Sequence, residues 1–454
     1  MKSAEPFTAG FSRVDITPTE SVPLAGYGNT MQRLSQGVLD PIFATFIALT
    51  DNEGSTLLLC TLDVIKTSDI YCIPARDAIS KAYGIPRENI IFSATHTHSA
   101  PDFSSDEYAP ILRYVDTLVK NLTEAAGLAL ADRKEARMIG TSVYNEGMNF
   151  VRHYVLEDGS VAGDNFGSFK AAPIKDHVSD ADRQIQVVRL CREGDKDILM
   201  VNWQAHPTKA STRVTEHGWT RRPYISSDFV GACRSYVEEK TGCHFAYFQG
   251  ACGNINSRSK IPEEDGVVDH VPYGQQLGDY ILSALDKLSP LEGGKAEAGE
   301  AICKSPVNHS ENHLLAAAEE IAKLWKETND PSICSAEAKK HGMNSPYHAV
   351  HIIRKASLSG ELSFTVGAAH FGELGIGAFP YEMFDTNGKQ VKEGSPFKMT
   401  FILENANGAN NYIPSAKGCE HGCYEADSCN FLPGTGEKAA NAALELLNNF
   451  YQGK

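Results

Sequence analysis

The chain has 454 residues, of which 42% are hydrophobic and 22% charged; these are ordinary globular values that exclude wholesale disorder and allow a sizeable core. Its formal charge of −15 at pH 7 argues against a general affinity for nucleic acid or anionic membrane surfaces, leaving the adjacent Arg221 and Arg222 as a local basic pocket or a solvated turn. No run approaches the roughly 20 apolar residues that span a bilayer, no apolar leader follows Met1, and an odd count of 11 cysteines fits reduced thiols, so a cytoplasmic location is expected.

Along the chain, strand and helix signals alternate. Pro41 to Leu49 and Ser55 to Leu62 are apolar, partly β-branched runs separated by Asp51-Asn-Glu-Gly54, a hairpin signature. Ile70 to Tyr83 suits a helix closed by Gly84, with Pro86 beyond it. Asn89 to Ala94 reads as a short strand, and Tyr108 to Asp132 carries apolar residues at helical spacing. Gln184 to Cys191, Ile198 to Trp203 and His244 to Phe248 read as strands; Phe229 to Lys240 and Tyr273 to Leu288 read as helices. Lys295 to His351 is expected to be a helical insertion, built on Glu311 to Glu327 and Ser335 to His341. Strands return at Glu361 to Ala368, Leu374 to Phe379 and Lys398 to Leu403, and Glu437 to Tyr451 forms a last helix. With no internal repeat or low-complexity tract, residues 1–454 read as one large α/β domain with mixed sheets and flanking helices.

The polar residues of interest follow the ends of apolar strands. His96 and His98 come after Ile90 to Ala94, His206 after Met200 to Trp203, and Gly250-Ala-Cys-Gly-Asn-Ile-Asn256 after Phe245 to Phe248. Glu382 follows Ile376 to Phe379, and Tyr412 lies in the loop after Phe401 to Leu403. Strand ends are where open α/β sheets build ligand sites, so residues scattered in sequence can converge there. In an extended backbone, His96 and His98 would point to one side. Two histidines and a carboxylate suit zinc, whereas taken singly each of these histidines reads more readily as hydrogen-bonded and structural.

Two motifs carry a family resemblance. Ala9-Gly-Phe-Ser-Arg-Val-Asp-Ile-Thr-Pro18, with Leu24-Ala-Gly-Tyr27 behind it, resembles the opening of the neutral/alkaline (non-lysosomal) ceramidases. Ser93-Ala-Thr-His-Thr-His-Ser-Ala-Pro101 is similar to that family's Ala-Thr-His-Thr-His-Ser-Gly-Pro. The resemblance runs from Ala9 to about Tyr424 and thins between Arg258 and Gly360. It implies a zinc-dependent amidohydrolase whose metal is held by His96, His206 (in Asn202-Trp-Gln-Ala-His206), Glu382 (in Pro380-Tyr-Glu382) and Tyr412 (in Asn411-Tyr-Ile-Pro414). Beside the metal it places His98, Arg152 (in Asn149-Phe-Val-Arg152) and Tyr424.

The family's reactive serine, in Gly-Asp-Val-Ser-Pro-Asn, falls on Asn256 of Gly253-Asn-Ile-Asn-Ser-Arg258. An asparagine cannot be an acyl-accepting nucleophile, and Ser257, one residue on, would face away. The expectation is therefore a metal-activated water as attacking group, with His98 as proton shuttle and Arg152, Tyr424 and Asn256 stabilising the oxyanion. The family's further C-terminal β-sandwich is not expected within these residues. A small acyl-amide or ester is the expected substrate, an esterase or deacylase and a non-catalytic binding protein are the alternatives, and oligomeric state is left open. Several further residues draw the eye. Cys419, His421, Cys423 and Cys429 read as a glycine-turn loop that positions Tyr424 or as a second metal or redox site, Cys252 as a small buried filler, Asp63 as a partner for a ligand histidine or a cap, and Asp228 as a helix N-cap.

Overall fold

The computed structural model describes residues 6–27, 33–104, 107–164, 172–215, 218–261, 269–328 and 330–453. Its largest sheet runs in the order His244–Gln249, Ile198–Trp203, Gln184–Arg192, Lys134–Tyr144, Phe7–Asp15, Phe43–Thr50, Thr56–Leu62, Ile90–Ala94, with Ser289–Leu291 added beside Lys134–Tyr144. The pairs at the two edges are parallel, and the pairs between them antiparallel. The first two expected strands do form a hairpin: Asp51 Oδ1 accepts from the amides of Glu53 and Ser55, and Gly54 supplies the left-handed turn at φ 88°.

The near-continuous apolar strands are explained by burial on both faces. Phe46, Ala48, Leu58, Cys60 and Phe92 face the helices Asp69–Tyr83 and Ala109–Ala131. Their neighbours Ile47, Leu49, Leu57, Leu59 and Ile91 face a second sheet, meeting Phe371, Ile376, Phe401 and Leu403. This four-stranded sheet runs Ala296–Pro306, Glu361–Phe371, Leu374–Ala378, Met399–Leu403, the last pair parallel. Helices Asp228–Thr241 and His270–Ala284 cover the other half of the large sheet through Phe229, Val237, Tyr273 and Ile281.

The large sheet is bent enough to bring its two edges together. Thr61 Oγ1, near one edge, donates to Tyr247 O on the opposite edge strand at 2.7 Å. The loop after Met399–Leu403 ties both edges: Glu404 N donates to Gln249 O and Asn407 N to Phe92 O. Strand ends that lie far apart in sheet order thereby become neighbours.

Three expectations need correction. Ala296–Pro306 is a strand pairing along Glu361–Phe371 rather than the start of a helical insertion. The helical segment comprises Leu315–Thr328, Pro331–Lys340 and Pro346–Ser357, around a small core of Ala318, Ile321, Ala338, Met343, Ala349 and Ile352. Asp63 neither caps a helix nor supports a histidine; it pairs with Arg234 at 2.7 Å and accepts from Phe43 N. Asp228 is the first residue of its helix, one place after the N-cap Ser227 and at φ 55°, and its carboxylate accepts from both Phe229 N and Ala210 N, so it fastens the loop after His206 to the helix.

Candidate metal centre

The chain turns sharply after Ile90–Ala94. His96 adopts φ 70°, a left-handed conformation that side chains rarely take, so the extended-backbone argument for His96 and His98 does not hold. The turn is held by Thr95 N to Leu62 O and His96 N to Val64 O. Even so, the rings of His96, His98 and His206 gather, with centroids 4.7–5.5 Å apart.

His96 and His206 are each aimed from behind. His96 Nδ1 lies 2.7 Å from Ile65 O, and His206 Nδ1 lies 2.9 Å from Ile255 O. Such contacts fix the Nδ1–H tautomer and present the Nε2 lone pair forward. Both Nε2 atoms lie 3.4 Å from the same oxygen, Glu382 Oε2. Glu382 reaches that point because Glu382–Met383 pairs in parallel with Tyr412–Ile413, setting Glu382 directly beside Tyr412. Gly253 permits the approach: a Cβ there would stand 2.6 Å from Glu382 O.

His96 Nε2 and Glu382 Oε2 are buried and make no hydrogen bond. Unpaired buried polar atoms that converge on one point mark a place where a cation could be held, and imidazole with carboxylate is a donor set that suits zinc. Cys252 joins this neighbourhood: His96, His206 and Cys252 offer ligand atoms all within 4.8 Å of one another, the sole such group of His, Cys, Asp and Glu among the described residues. Cys252 is more than a filler, since Sγ donates to Glu404 Oε1 at 2.7 Å and Cys252 N donates to Glu404 Oε2 at 2.8 Å. Burial pushes the Glu404 carboxyl up to about 7. For Glu382 burial pushes the same way, but the facing imidazoles of His96 and His206 outweigh it and hold the group well below the usual carboxylate range.

The remaining expected residues surround this point. Both ring nitrogens of His98 are buried without a hydrogen bond, and burial, reinforced by His96 and His206, pushes its pKa well below the usual value. Its ring stands edge-on to Tyr27 at 5.2 Å, and a Cβ on Gly26 would collide with it at 2.4 Å. Arg152 Nη1 lies 3.3 Å from His206 Nε2, and its guanidinium carbon 5.4 Å from the centroid of the Tyr412 ring. Tyr424 packs edge-on against Tyr412 at 5.7 Å. Asn256 Oδ1 accepts from Arg152 at 3.3 Å while its amide nitrogen donates to Asp164 at 2.6 Å. Ser257 turns away, its hydroxyl donating to His206 O. Among the described residues, Cys419, His421, Cys423 and Cys429 form no metal-ligating group; His421 instead meets His153, Nδ1 to Nδ1, at 3.1 Å.

Glu425 is the residue that sequence reading missed. Buried to 1% exposure, it receives Arg152 Nε at 2.7 Å and faces His153 Nε2 at 2.8 Å. The signal was its place next to Tyr424 and the pairing of Arg152 with His153 in sequence, both too short to stand out.

Fold and centre together define a mixed α/β protein with a candidate metal site where strand ends meet. Its backbone is similar to that of the neutral ceramidase from Pseudomonas aeruginosa, with a TM-score of 0.71 and 14% identity over 99% of this chain and 75% of that one. A ceramidase complexed with C2 matches equally, at 0.71 and 14%, over 99% of this chain and 76% of that one. The chain thus has a neutral-ceramidase-like fold. No protein-family profile matches the sequence.

Proposed function

We propose that this protein is a zinc-dependent hydrolase of an N-acyl (amide) bond, ceramidase-like in its site, with residues 1–454 acting as one catalytic domain. The observation that carries the reading is the convergence of His96 Nε2 and His206 Nε2 on Glu382 Oε2, each at 3.4 Å, inside a neutral-ceramidase-like fold. His96, His206, Glu382 and Tyr412 would hold the ion. Zinc bound there supplies Lewis acidity, which activates water and polarises an acyl carbonyl.

The chain's own residues divide the remaining work. Arg152, locked by Glu425 and by Gly253 O at 2.8 Å, offers a fixed positive charge to an oxygen that becomes negative, with Tyr424 alongside. His98, whose ring nitrogens carry no hydrogen bond, would take up the proton that the attacking water gives up and pass it to the departing amine. Asn256 acts on Arg152 by accepting from it; with its amide nitrogen committed to Asp164, it serves orientation more than direct contact with an oxyanion. An ester fits the same oxyanion geometry, so a matched amide and ester pair belongs in the assay.

Metal analysis of the purified protein, followed by hydrolysis of an N-acyl amide series, tests this reading. One zinc per chain with metal-dependent amide cleavage is expected. A folded protein that neither binds zinc nor cleaves any amide would sink it.

A further inference from the structure

The helix Pro346–Ser357 packs against Tyr424–Ser428, beside the candidate centre. Two of its residues, His351 and Arg354, are three apart and therefore share a helix face. The His351 ring stands 6.0 Å from that of Tyr424, which stands 5.7 Å from that of Tyr412. Arg354 Nη2 donates to Ser428 O at 2.7 Å. With its amide turned oxygen-inward, Asn411, next to Tyr412, accepts from the same nitrogen at 3.0 Å and also from Nη1. Arg354 thus reaches the backbone segment that carries one of the proposed ligands.

What this corner lacks is negative charge. A guanidinium stays charged in proteins, and burying it without a counter-ion is costly. Arg354 is half-buried, yet among the described residues it forms no ion pair, and the groups acting on it electrostatically are Tyr424 and Cys429. The charged groups acting on His351 are Arg354, Lys355 and His348, all basic. The nearby carboxylates are engaged elsewhere: Glu311 by Lys355 and His348, each at 2.8 Å, and Asp427 by Asn344. Arg354 Nε and both ring nitrogens of His351 are buried without a hydrogen bond, the same signature that marks the metal centre.

We propose that Arg354 and His351 form a subsite for one anionic group of the substrate, a carboxylate carried a few bonds from the scissile amide, so that the substrate class is N-acyl amino acids in preference to neutral N-acyl amines. The proposal rests on the amide-hydrolase reading for its link to turnover. Both terminal nitrogens of Arg354 already serve protein oxygens, which leaves Nε and an imidazole nitrogen; two single donors suit a small carboxylate better than a tetrahedral phosphate.

Calorimetric binding of N-octanoylglycine, N-octanoyltaurine and N-octanoylethanolamine to the zinc-loaded protein tests the subsite apart from catalysis. The carboxylate compound is expected to bind about 10- to 100-fold more tightly than the neutral one, as a charge-assisted contact gives. Arg354→Met should abolish that preference and Arg354→Lys should restore part of it; should the methionine variant misfold, the wild-type comparison still decides. Equal binding of glycine and ethanolamine compounds, or a preference untouched by R354M, would overturn the proposal, and tighter binding of the taurine compound would overturn the choice of carboxylate. Carboxylate preference in binding with no amide cleaved would leave the subsite standing and remove the hydrolase reading. Cleavage with no preference would do the reverse.

Discussion

Arg152 Nε lies 2.7 Å from Glu425 Oε1, and the second oxygen of that carboxylate lies 2.8 Å from His153 Nε2. One buried acid therefore orders two basic residues that are consecutive in sequence. Burial pushes Glu425 up, but Arg152 and His153 more than offset it, and the group is brought down to about 2. Glu425→Gln removes the charge while keeping the shape, leaving Arg152 buried without its counter-ion; breaking such a pair typically costs about 3–5 kcal/mol. A clear fall in Tm is expected, together with a fall in kcat of about 10-fold or more as the guanidinium loses its fixed position. Zinc content should stay at the wild-type level. Loss of zinc in E425Q would show that Glu425 supports the metal rather than Arg152.

The histidines divide into two roles that metal analysis separates. His96→Ala or His206→Ala removes an imidazole facing Glu382 Oε2 at 3.4 Å, so zinc should be lost from both. His98→Asn should retain zinc and lose turnover by about 100-fold, within the range of a lost proton-transfer group. With zinc held as proposed, chelation of the wild type should lower Tm, because an ion that binds the folded chain alone stabilises it. Zinc loss from H98N equal to that from H96A would overturn the division.

The motif resemblance sets Asn256 against the serine of the ceramidase family, which invites the reverse substitution. Its side chain bridges Arg152 at 3.3 Å and Asp164 at 2.6 Å. A serine at this position is too short to make both contacts, so Asn256→Ser should lower kcat by about 10-fold, the rate equivalent of roughly 1.4 kcal/mol of lost orientation. It should show no burst of acyl-enzyme. A faster enzyme with a burst phase would mean that the serine chemistry survives latent in this scaffold.

The parts of this molecule legible in the sequence were those governed by local rules. Strand Ile90–Ala94, helix Ala109–Ala131 and the Asp51–Gly54 turn follow from periodicity, capping glycine and Asx chemistry, and they lie within a residue or two of expectation. The common placement of His96, His206 and Glu382 after strand ends was also visible. Bending of the sheet was not, for it depends on contacts such as Thr61 to Tyr247 that link residues 186 positions apart. Ala296–Pro306 escaped because Glu297, Glu300 and Lys304 interrupt it: it pairs on one side only, next to Glu361–Phe371. Glu425 escaped because a buried acid leaves no pattern in sequence, and its partners lie more than 270 residues away.

The helical segment should respond to pH in two opposite ways. Burial pushes the Glu311 carboxyl up, yet the bonds from His348 and Lys355 prevail and bring it from 4.5 down to about 2. A carboxylate depressed on folding adds stability that is complete above its unfolded value and is lost as pH falls from about 4.5 towards 2. Asp427 is the reverse: burial raises it from 3.8 to about 6, with His348 offsetting only part of the rise. Its ionisation weakens the fold above pH 6, and that penalty disappears as pH falls from about 6 to 4. Local stability of Pro346–Ser357 should therefore peak near pH 4–5. Hydrogen exchange of these amides, corrected for intrinsic rates, reads this directly. Asp427→Asn should remove the gain below pH 6, and Glu311→Gln should remove the loss below pH 4.5. Protection that falls steadily from pH 7 downward, unchanged in both variants, would show that neither acid governs the segment.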